Sequence, residues 1–271
     1  MPHLDVSGAR LYYETEGSAS APALLLIHAG IASLRMWDPQ VPALGEDHYV
    51  IRYDTRGFGQ TSTENVEFSD HADALAILDH LEVQRATVVG CSRGGRIAID
   101  LAIEHPERVS GLVTVGAGPS GFPDTELTPE EDAISDRMDI AFKAQDWKEL
   151  GDLEVRLWSI GPARREEDLD PEFVAKAYEL NSINLQHAEE SATHIPLEPP
   201  AFDRVVDIDV PALILVGDHD VSECLAQYEY LSTAVPRADS ARFPGSAHLP
   251  NVEQPEDFER VLRQWLAQHD L

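Results

Sequence analysis

The segment GCSRG at residues 90–94 constrains this chain more than any other feature of its sequence. It follows a short β-branched run at residues 87–89 and precedes a helical pattern over residues 96–105. A G-x-S-x-G turn between a strand and a helix holds its serine on a sharp, strained bend, so that the hydroxyl projects above the sheet. Strand and helix approach so closely there that only glycine fits at the first and last positions. The pattern therefore predicts that Ser92 is a nucleophile.

Short apolar runs alternate with amphipathic helical patterns on both sides of this segment. The uninterrupted apolar run at residues 24–27 is typical of a strand that is covered on both faces. Apolar residues at helical spacing over residues 69–81 indicate an intervening helix. Further strands are predicted at residues 4–6, 11–14, 49–53, 109–115, 212–216 and 240–243, and further helices at residues 223–234 and around 258–266. This alternation favours an α/β fold with a mostly parallel sheet flanked by helices.

The alternation stops between residues 119 and 205. This stretch contains no convincing strand and consists of acidic helical patterns interrupted by glycine and proline, at residues 129–142, 147–158 and 171–187. We therefore expect a core domain formed by residues 1–118 and 206–271. Residues 119–205 are expected to form a helical cap inserted in that core.

The charge balance excludes several classes of partner. The 271 residues include 20 Lys and Arg against 49 Asp and Glu, a formal net charge of −29. Nucleic-acid binding needs a basic surface, and docking to an anionic membrane needs clustered Lys and Arg. We expect neither partner.

The two cysteines, Cys91 and Cys224, are too few for a disulfide framework or a cysteine metal cluster. The first residues show no basic and apolar leader pattern, and the apolar run at residues 23–27 is far too short to span a membrane. These features predict a cytoplasmic protein in a reducing compartment. Neither a metal nor a cofactor is expected.

A serine hydroxyl becomes a nucleophile only when a base takes its proton and an acid orients that base. In a strand–turn–helix setting of this kind the acid follows the serine along the chain, and the histidine follows the acid. Asp220 comes directly after the predicted strand at residues 212–216, and His248 lies in the loop after the last predicted strand. Both positions are at carboxyl ends of strands, where open α/β sheets bind ligands. Asp218 is the alternative acid, although we expect it to bond nearby backbone amides.

Acyl transfer also needs donors for the oxyanion of the tetrahedral intermediate. The backbone N–H of Arg93 is predicted to be one, since it follows the nucleophile at a helix N-terminus. The second is expected from the loop after residues 24–27, where Gly30 lets the backbone approach the substrate. His28 is interpreted as a structural residue that braces this loop. The Arg93 side chain either pairs with a nearby carboxylate or faces the cleft and favours an acidic substrate.

Together these residues resemble the α/β-hydrolase family. Besides the serine turn, the resemblance rests on HAGIASLRMWDPQ (28–40), VIRYDTRGFGQTS (50–62), LILVGDHD (213–220) and GSAHLPNVEQPEDF (245–258). It implies the α/β-hydrolase fold, a catalytic triad of Ser92, Asp220 and His248, and an oxyanion donor at Gly30. The segments MWDPQ, RYDTRG and NVEQPEDF are similar to those of 3-oxoadipate enol-lactonases. The family's variable helical cap corresponds to residues 119–205.

The sequence thus predicts a carboxylic ester hydrolase that cleaves a small ester or lactone through an acyl-enzyme intermediate. Aromatic residues of the predicted cap are candidates for an apolar acyl pocket, although a place in the core of the cap would equally explain them: Phe122, Phe142, Trp147, Trp158 and Tyr178.

Other functions stay open at this point. The alternatives are an enol-lactonase, a cofactor-free perhydrolase or haloperoxidase, and a ligand receptor that keeps the triad but turns over poorly. Serine at position 92 argues against haloalkane dehalogenases and epoxide hydrolases, which resemble this family but use aspartate there. The partner is expected to be a small molecule. The sequence does not decide the oligomeric state, and a homodimer is one of the states that it allows.

Overall fold

The computed structural model describes residues 2–271. The strands are β1 His3–Val6, β2 Ala9–Glu16, β3 Ala23–Ile27, β4 Tyr49–Tyr53, β5 Ser62–Thr63, β6 Glu67–Phe68, β7 Ala86–Cys91, β8 Val109–Val115, β9 Thr193–His194, β10 Ala212–Gly217 and β11 Ala238–Phe243. The α-helices are α1 Val41–Leu44, α2 Asp70–His80, α3 Arg93–Glu104, α4 Pro129–Ala144, α5 Trp147–Glu154, α6 Pro171–Ser182, α7 Ser222–Ala234, α8 Pro250–Glu253 and α9 Pro255–Gln268.

One large sheet forms the centre of the molecule, in the order β1-β2-β4-β3-β7-β8-β10-β11, with β5 paired to β2. All neighbours from β4 to β11 are parallel, whereas β1, β2 and β5 pair antiparallel at one edge. The predicted fold class is therefore confirmed. Because the strands are parallel, the carboxyl ends of β3, β7, β8 and β10 lie at one edge, where the loops carrying the candidate residues begin.

Strand β3 shows why the apolar runs form the middle of this sheet. Successive side chains of a strand point to opposite faces. Leu25 and Ile27 accordingly pack into one apolar cluster with residues of α2, α3 and α7, while Leu24 and Leu26 pack into a second with residues of α1 and α9. All four side chains are fully buried. Helices thus cover both faces of the sheet.

Residues 119–205 contain α4, α5 and α6; α4 runs two residues beyond its predicted end, whereas α5 and α6 end earlier than their sequence patterns do. The α5 helix passes at Glu154 into a π-helical turn, Val155–Ile160, and α6 passes into a 3₁₀ turn, Ile183–His187. The expectation of no strand here is wrong at one point, since β9 pairs in parallel with β6. A two-residue strand is too short to leave an alternating pattern in the sequence.

Two buried contacts fasten this helical stretch to the rest of the chain. Glu131, which caps the start of α4, also accepts hydrogen bonds from the backbone N–H and the hydroxyl of Ser222, each at 2.6 Å. Arg164 binds Glu253 of α8 through two hydrogen bonds of 2.6 and 3.0 Å, and the two side chains are only 9% and 10% exposed. Within residues 2–271, no helix has both the length and the apolar character that crossing a bilayer requires.

Candidate active site

Ser92 occupies the turn between β7 and α3 in a conformation that side chains rarely adopt. Its φ is +53° and its ψ is −118°, and its backbone N–H donates to Val115 of β8 at 2.8 Å. The tight approach predicted from the glycines is present. A Cβ at Gly94 would lie 2.3 Å from the carbonyl oxygen of Ile27, and one at Gly90 would lie 2.1 Å from the carbonyl oxygen of Gly94. The strain is thus held in place by backbone packing around the serine.

His248 and Asp220 form a buried pair. Nδ1 of His248 lies 2.9 Å from each carboxylate oxygen of Asp220, and both side chains are almost completely excluded from solvent. Asp220 Oδ1 also accepts the backbone N–H of Val221 at 2.8 Å, which fixes the orientation of the carboxylate. Because Nδ1 faces the acid, Nε2 is the ring nitrogen left to act as a base. The alternative acid, Asp218, instead binds Arg242 at the surface, with a 2.6 Å contact.

Ser92 lies at the wall of a cavity of about 260 Å³. Ser92 lines it together with Gly116 and Trp158, which both contact the pair. A Cβ at Gly116 would lie 2.7 Å from Asp220 Oδ2 and 2.9 Å from His248 Nδ1. Gly116 also directly follows Val115, the residue that accepts the Ser92 amide. Gly116 and Trp158 thus lie between Ser92, at the wall of this cavity, and the Asp220–His248 pair. The cavity is called the serine cavity below.

Trp158 lies on the π-helical turn and holds His248 from the side of the helical stretch. Its ring centroid is 4.9 Å from that of the imidazole, and its carbonyl oxygen accepts the backbone N–H of His248 at 3.3 Å. A π-helical turn inside a helix is often found at functional sites. The imidazole is therefore fixed between a carboxylate and an indole ring.

Gly30 and Arg93 lie next to each other beside the nucleophile, since a Cβ at Gly30 would be 3.9 Å from Cβ of Arg93. Within residues 2–271, neither backbone N–H donates a hydrogen bond to another protein group. Two adjacent free amides, one of them at a helix N-terminus, suit a developing oxyanion.

His28 braces the oxyanion loop as the sequence predicts. It is fully buried, its Nδ1 donates to the carbonyl of Ala29 at 2.8 Å, and its Nε2 accepts the backbone N–H of Thr55 at 3.0 Å. Burial lowers the pKa of His28 to about 4. The ring is therefore neutral at pH 7 and serves as a fixed link between two loops.

The Arg93 side chain pairs with a carboxylate, which is one of the two expectations above. Its Nη2 lies 2.7 Å from Asp70 Oδ1, and its guanidinium lies over the Phe58 ring, 5.3 Å from the centroid. The neighbouring Arg96 lines the serine cavity and was missed by sequence reasoning. Its position four residues after Ser92, on the same side of α3, is the signal that would have found it.

The five aromatic candidates are distributed over different parts of the structure. Phe122 and Trp158 line the serine cavity. Phe142 and Trp147 line a second cavity of about 250 Å³, which also reaches Gly30 and is called the aromatic cavity below. Tyr178 lines neither of the two; its hydroxyl donates to Glu166 at 2.7 Å. The structure thus brings four of the five residues to the cavities around the serine.

Asp220, Cys224 and His248 form a group with metal-binding atom types within 4.8 Å of one another. The same atoms already serve the acid–base pair, because Nδ1 of His248 faces the Asp220 carboxylate. Burial raises the pKa of the Cys224 thiol well above its ordinary value, so the thiol keeps its proton, whereas metals bind thiolates. The arrangement therefore suits proton transfer better than metal binding.

The chain belongs to the alpha/beta hydrolase family, whose fold model matches residues 22–255. Proteins named as a lactonase and as a methyl ester esterase are among those that it is similar to. The 3-oxoadipate enol-lactonase 2 of Acinetobacter baylyi is 26% identical over 262 residues, which cover 96% of this chain and 94% of that enzyme.

Two solved structures are similar over nearly their whole length. An N-acyl homoserine lactone degrading enzyme is 25% identical with a TM-score of 0.77, and the match covers 97% of this chain and 99% of that one. A carboxylesterase from the thaumarchaeon Nitrososphaera gargenis has a TM-score of 0.80 at 22% identity, with 99% of both chains covered. The second likeness shows the shared fold alone.

Proposed function

We propose that the protein hydrolyses a small carboxylic ester or lactone through an acyl-enzyme intermediate. The observation that carries this proposal is the strained Ser92 at the wall of the cavity that the buried Asp220–His248 pair adjoins. A serine, a histidine and an aspartate in this relation are the parts that nucleophilic acyl transfer needs.

The reaction has two halves. His248 Nε2 takes the proton of Ser92 while Oγ attacks the carbonyl carbon, and the negative oxygen that forms accepts the Gly30 and Arg93 amides. His248 then gives that proton to the leaving alkoxide, which leaves Ser92 acylated. In the second half His248 activates a water, the water attacks the acyl carbon, and Ser92 recovers its proton as the acid departs. Asp220 orients the imidazole through Nδ1 and stabilises the imidazolium that forms twice.

In this proposal residues 119–205 act as a cap over the core formed by 1–118 and 206–271. The stretch supplies Trp158 and Phe122 to the serine cavity and Phe142 and Trp147 to the aromatic cavity. These residues surround both ends of a bound ester, so this stretch sets which substrates fit. Tyr178 takes no part in substrate binding.

The test is steady-state hydrolysis of p-nitrophenyl acetate, butyrate and octanoate by the wild type and Ser92→Ala. The variant should lose roughly 10⁴- to 10⁶-fold in kcat. Ser240→Ala, which removes an exposed hydroxyl from β11, is the matched control and should leave kcat unchanged. Equal activity of wild type and Ser92→Ala would refute the mechanism.

Three further assays separate the alternatives. Turnover of an enol-lactone but of none of the three esters would identify a lactonase. Bromide-dependent halogenation with peroxide would identify a perhydrolase. Stoichiometric binding without multiple turnover would identify a receptor and overturn the proposal.

A further inference from the structure

Among residues 2–271, Arg96 is the arginine whose side chain has no hydrogen-bond or ion-pair partner. Every other arginine in residues 2–271 makes a side-chain hydrogen bond or an ion pair, whereas Arg96 makes neither. Its Nε is buried and has no hydrogen-bond partner. Buried donors without a protein partner are rare, because leaving one unsatisfied is costly.

The position of Arg96 places its unpaired guanidinium close to the proposed nucleophile. Arg96 lies one helical turn beyond the nucleophile on α3, and its backbone N–H donates to the carbonyl of Ser92 at 3.0 Å. Its side chain lines the serine cavity together with Ser92. A planar guanidinium with several free N–H groups matches a carboxylate, which accepts two parallel hydrogen bonds.

Among the described residues, none of the charged groups near Arg96 forms an ion pair with it. Asp100 follows it by one helical turn, and the charge of Arg96 acts to lower the pKa of Asp100, but burial outweighs this and raises that pKa to about 7. No carboxylate oxygen among the described residues lies within ion-pair distance of Arg96. Arg93, the other cation of the cavity, is bound to Asp70. Glu223, the carboxylate that lines the cavity, accepts a hydrogen bond from Gln227 at 2.8 Å.

We infer that Arg96 binds a carboxylate of the substrate, so that the natural substrate is an ester or lactone that also carries a free carboxylate. This inference rests on the proposed function and names its substrate class. In this inference the scissile carbonyl lies at Ser92, beside Arg93 of the serine cavity and Gly30 of the aromatic cavity, since a Cβ at Gly30 would be 3.9 Å from Cβ of Arg93. The carboxylate is then placed in the serine cavity, and the remaining, apolar part of the substrate lies against Phe58 and Phe142.

The experiment compares each acid with a neutral analogue of the same shape. The acids are monomethyl succinate and monomethyl glutarate, and the analogues are the same methyl esters with a primary amide in place of the carboxylate. Binding is measured by calorimetry on Ser92→Ala, and kcat/KM is measured on the protein with its serine intact. Arg96→Gln removes the charge, Arg96→Lys keeps it without the planar fork, and the exposed Arg260→Gln is the control for lost positive charge.

We expect the acid to be preferred over the amide in both measurements. Arg96→Gln should reduce that preference roughly 10- to 100-fold, as the loss of a charge-assisted hydrogen bond predicts, because the kcat/KM of the acid falls far more than that of the amide. Arg96→Lys should retain part of the preference, and Arg260→Gln should retain all of it. Unfolding curves of Arg96→Gln and Arg96→Lys verify that both variants are folded.

The outcomes separate this inference from the proposed function. No preference for the acid in the wild type, or the same preference in Arg96→Gln, would overturn the carboxylate site even if neutral esters are hydrolysed. Arg96-dependent binding of the acid without hydrolysis would support the carboxylate site and overturn the serine hydrolase proposal.

Discussion

The variant Asp220→Asn tests whether the hydrogen bond between His248 Nδ1 and Asp220 orients the imidazole as the proposed base. The amide oxygen of the introduced side chain would keep the hydrogen bond that Asp220 Oδ1 now accepts from Val221 at 2.8 Å. The amide NH₂ group would then face Nδ1 of His248, which in the wild type lies 2.9 Å from both carboxylate oxygens. Nδ1 would have to accept, so the ring proton would move to Nε2, and the imidazole could no longer take the proton of Ser92.

The expected loss is large and confined to the chemical step. Holding the wrong tautomer costs about 10⁴-fold in kcat in a serine protease triad, which is roughly 5 kcal/mol of transition-state stabilisation. KM for p-nitrophenyl butyrate should change less than about threefold, because Asp220 contacts His248 and not the substrate. Thermal unfolding of the variant is recorded beside the kinetics to show that the fold is intact.

Asp218→Asn is the matched control, since it makes the same chemical change two residues away. Asp218 binds Arg242 at the surface, so its replacement should leave kcat within about twofold of the wild type. The reasoning fails if Asp220→Asn keeps more than about a tenth of the wild-type kcat, or if both variants lose activity equally.

Two further predictions concern stability. Gly94→Ala should lower the free energy of unfolding by roughly 3 kcal/mol or more, because its Cβ would overlap the carbonyl oxygen of Ile27. At Gly151 in α5 a Cβ would meet only ordinary contacts, so Gly151→Ala should raise the free energy of unfolding by up to about 1 kcal/mol. Urea unfolding measures both changes. The folded-state pKa of His28, about 4, lies below its ordinary value of 6.5, so its stabilising effect is present above pH 6.5 and is lost as the pH falls towards 4. Over this pH range, the free energy of unfolding of the wild type should fall by about 3 kcal/mol more than that of His28→Asn.

Each stability prediction has an outcome that contradicts it. Equal urea midpoints for Gly94→Ala and Gly151→Ala would mean that the approach between α3 and β3 tolerates a methyl group. Parallel pH profiles for wild type and His28→Asn would mean that His28 is protonated equally in the folded and unfolded chains.

The sequence was sufficient to predict those features that are determined by residues close together in the chain. The apolar run of β3 predicts a doubly covered strand, and the glycines on either side of Ser92 predict the tight turn, because both effects act within a few residues. The choice of Asp220 over Asp218 also followed from position in a loop. The structure supports that choice by placing Asp218 against Arg242.

Features that depend on distant partners could not be predicted in the same way. Nothing local to Arg93 says that its partner is Asp70, and nothing local to Arg96 says that it has none. The pairing of β9 with β6 joins residues more than a hundred positions apart. The π-helical turn that carries Trp158 follows a pattern that reads as one continuous helix, because a single widened turn keeps nearly the same apolar spacing.

The contacts between the π-helical turn and His248 limit how the substrate specificity of this protein can be changed. The carbonyl of Trp158 holds the backbone of the histidine, and Arg164, a few residues further on, is locked to Glu253. If His248 is the base, as proposed above, a hinge that lifted this turn would disturb it each time a substrate entered. The proposal therefore predicts that substrates reach Ser92 without displacing this turn. For the same reason, a chimera that takes its helices from another family member should keep residues 155–164, and an exchange of α4 should keep the contact between Glu131 and Ser222.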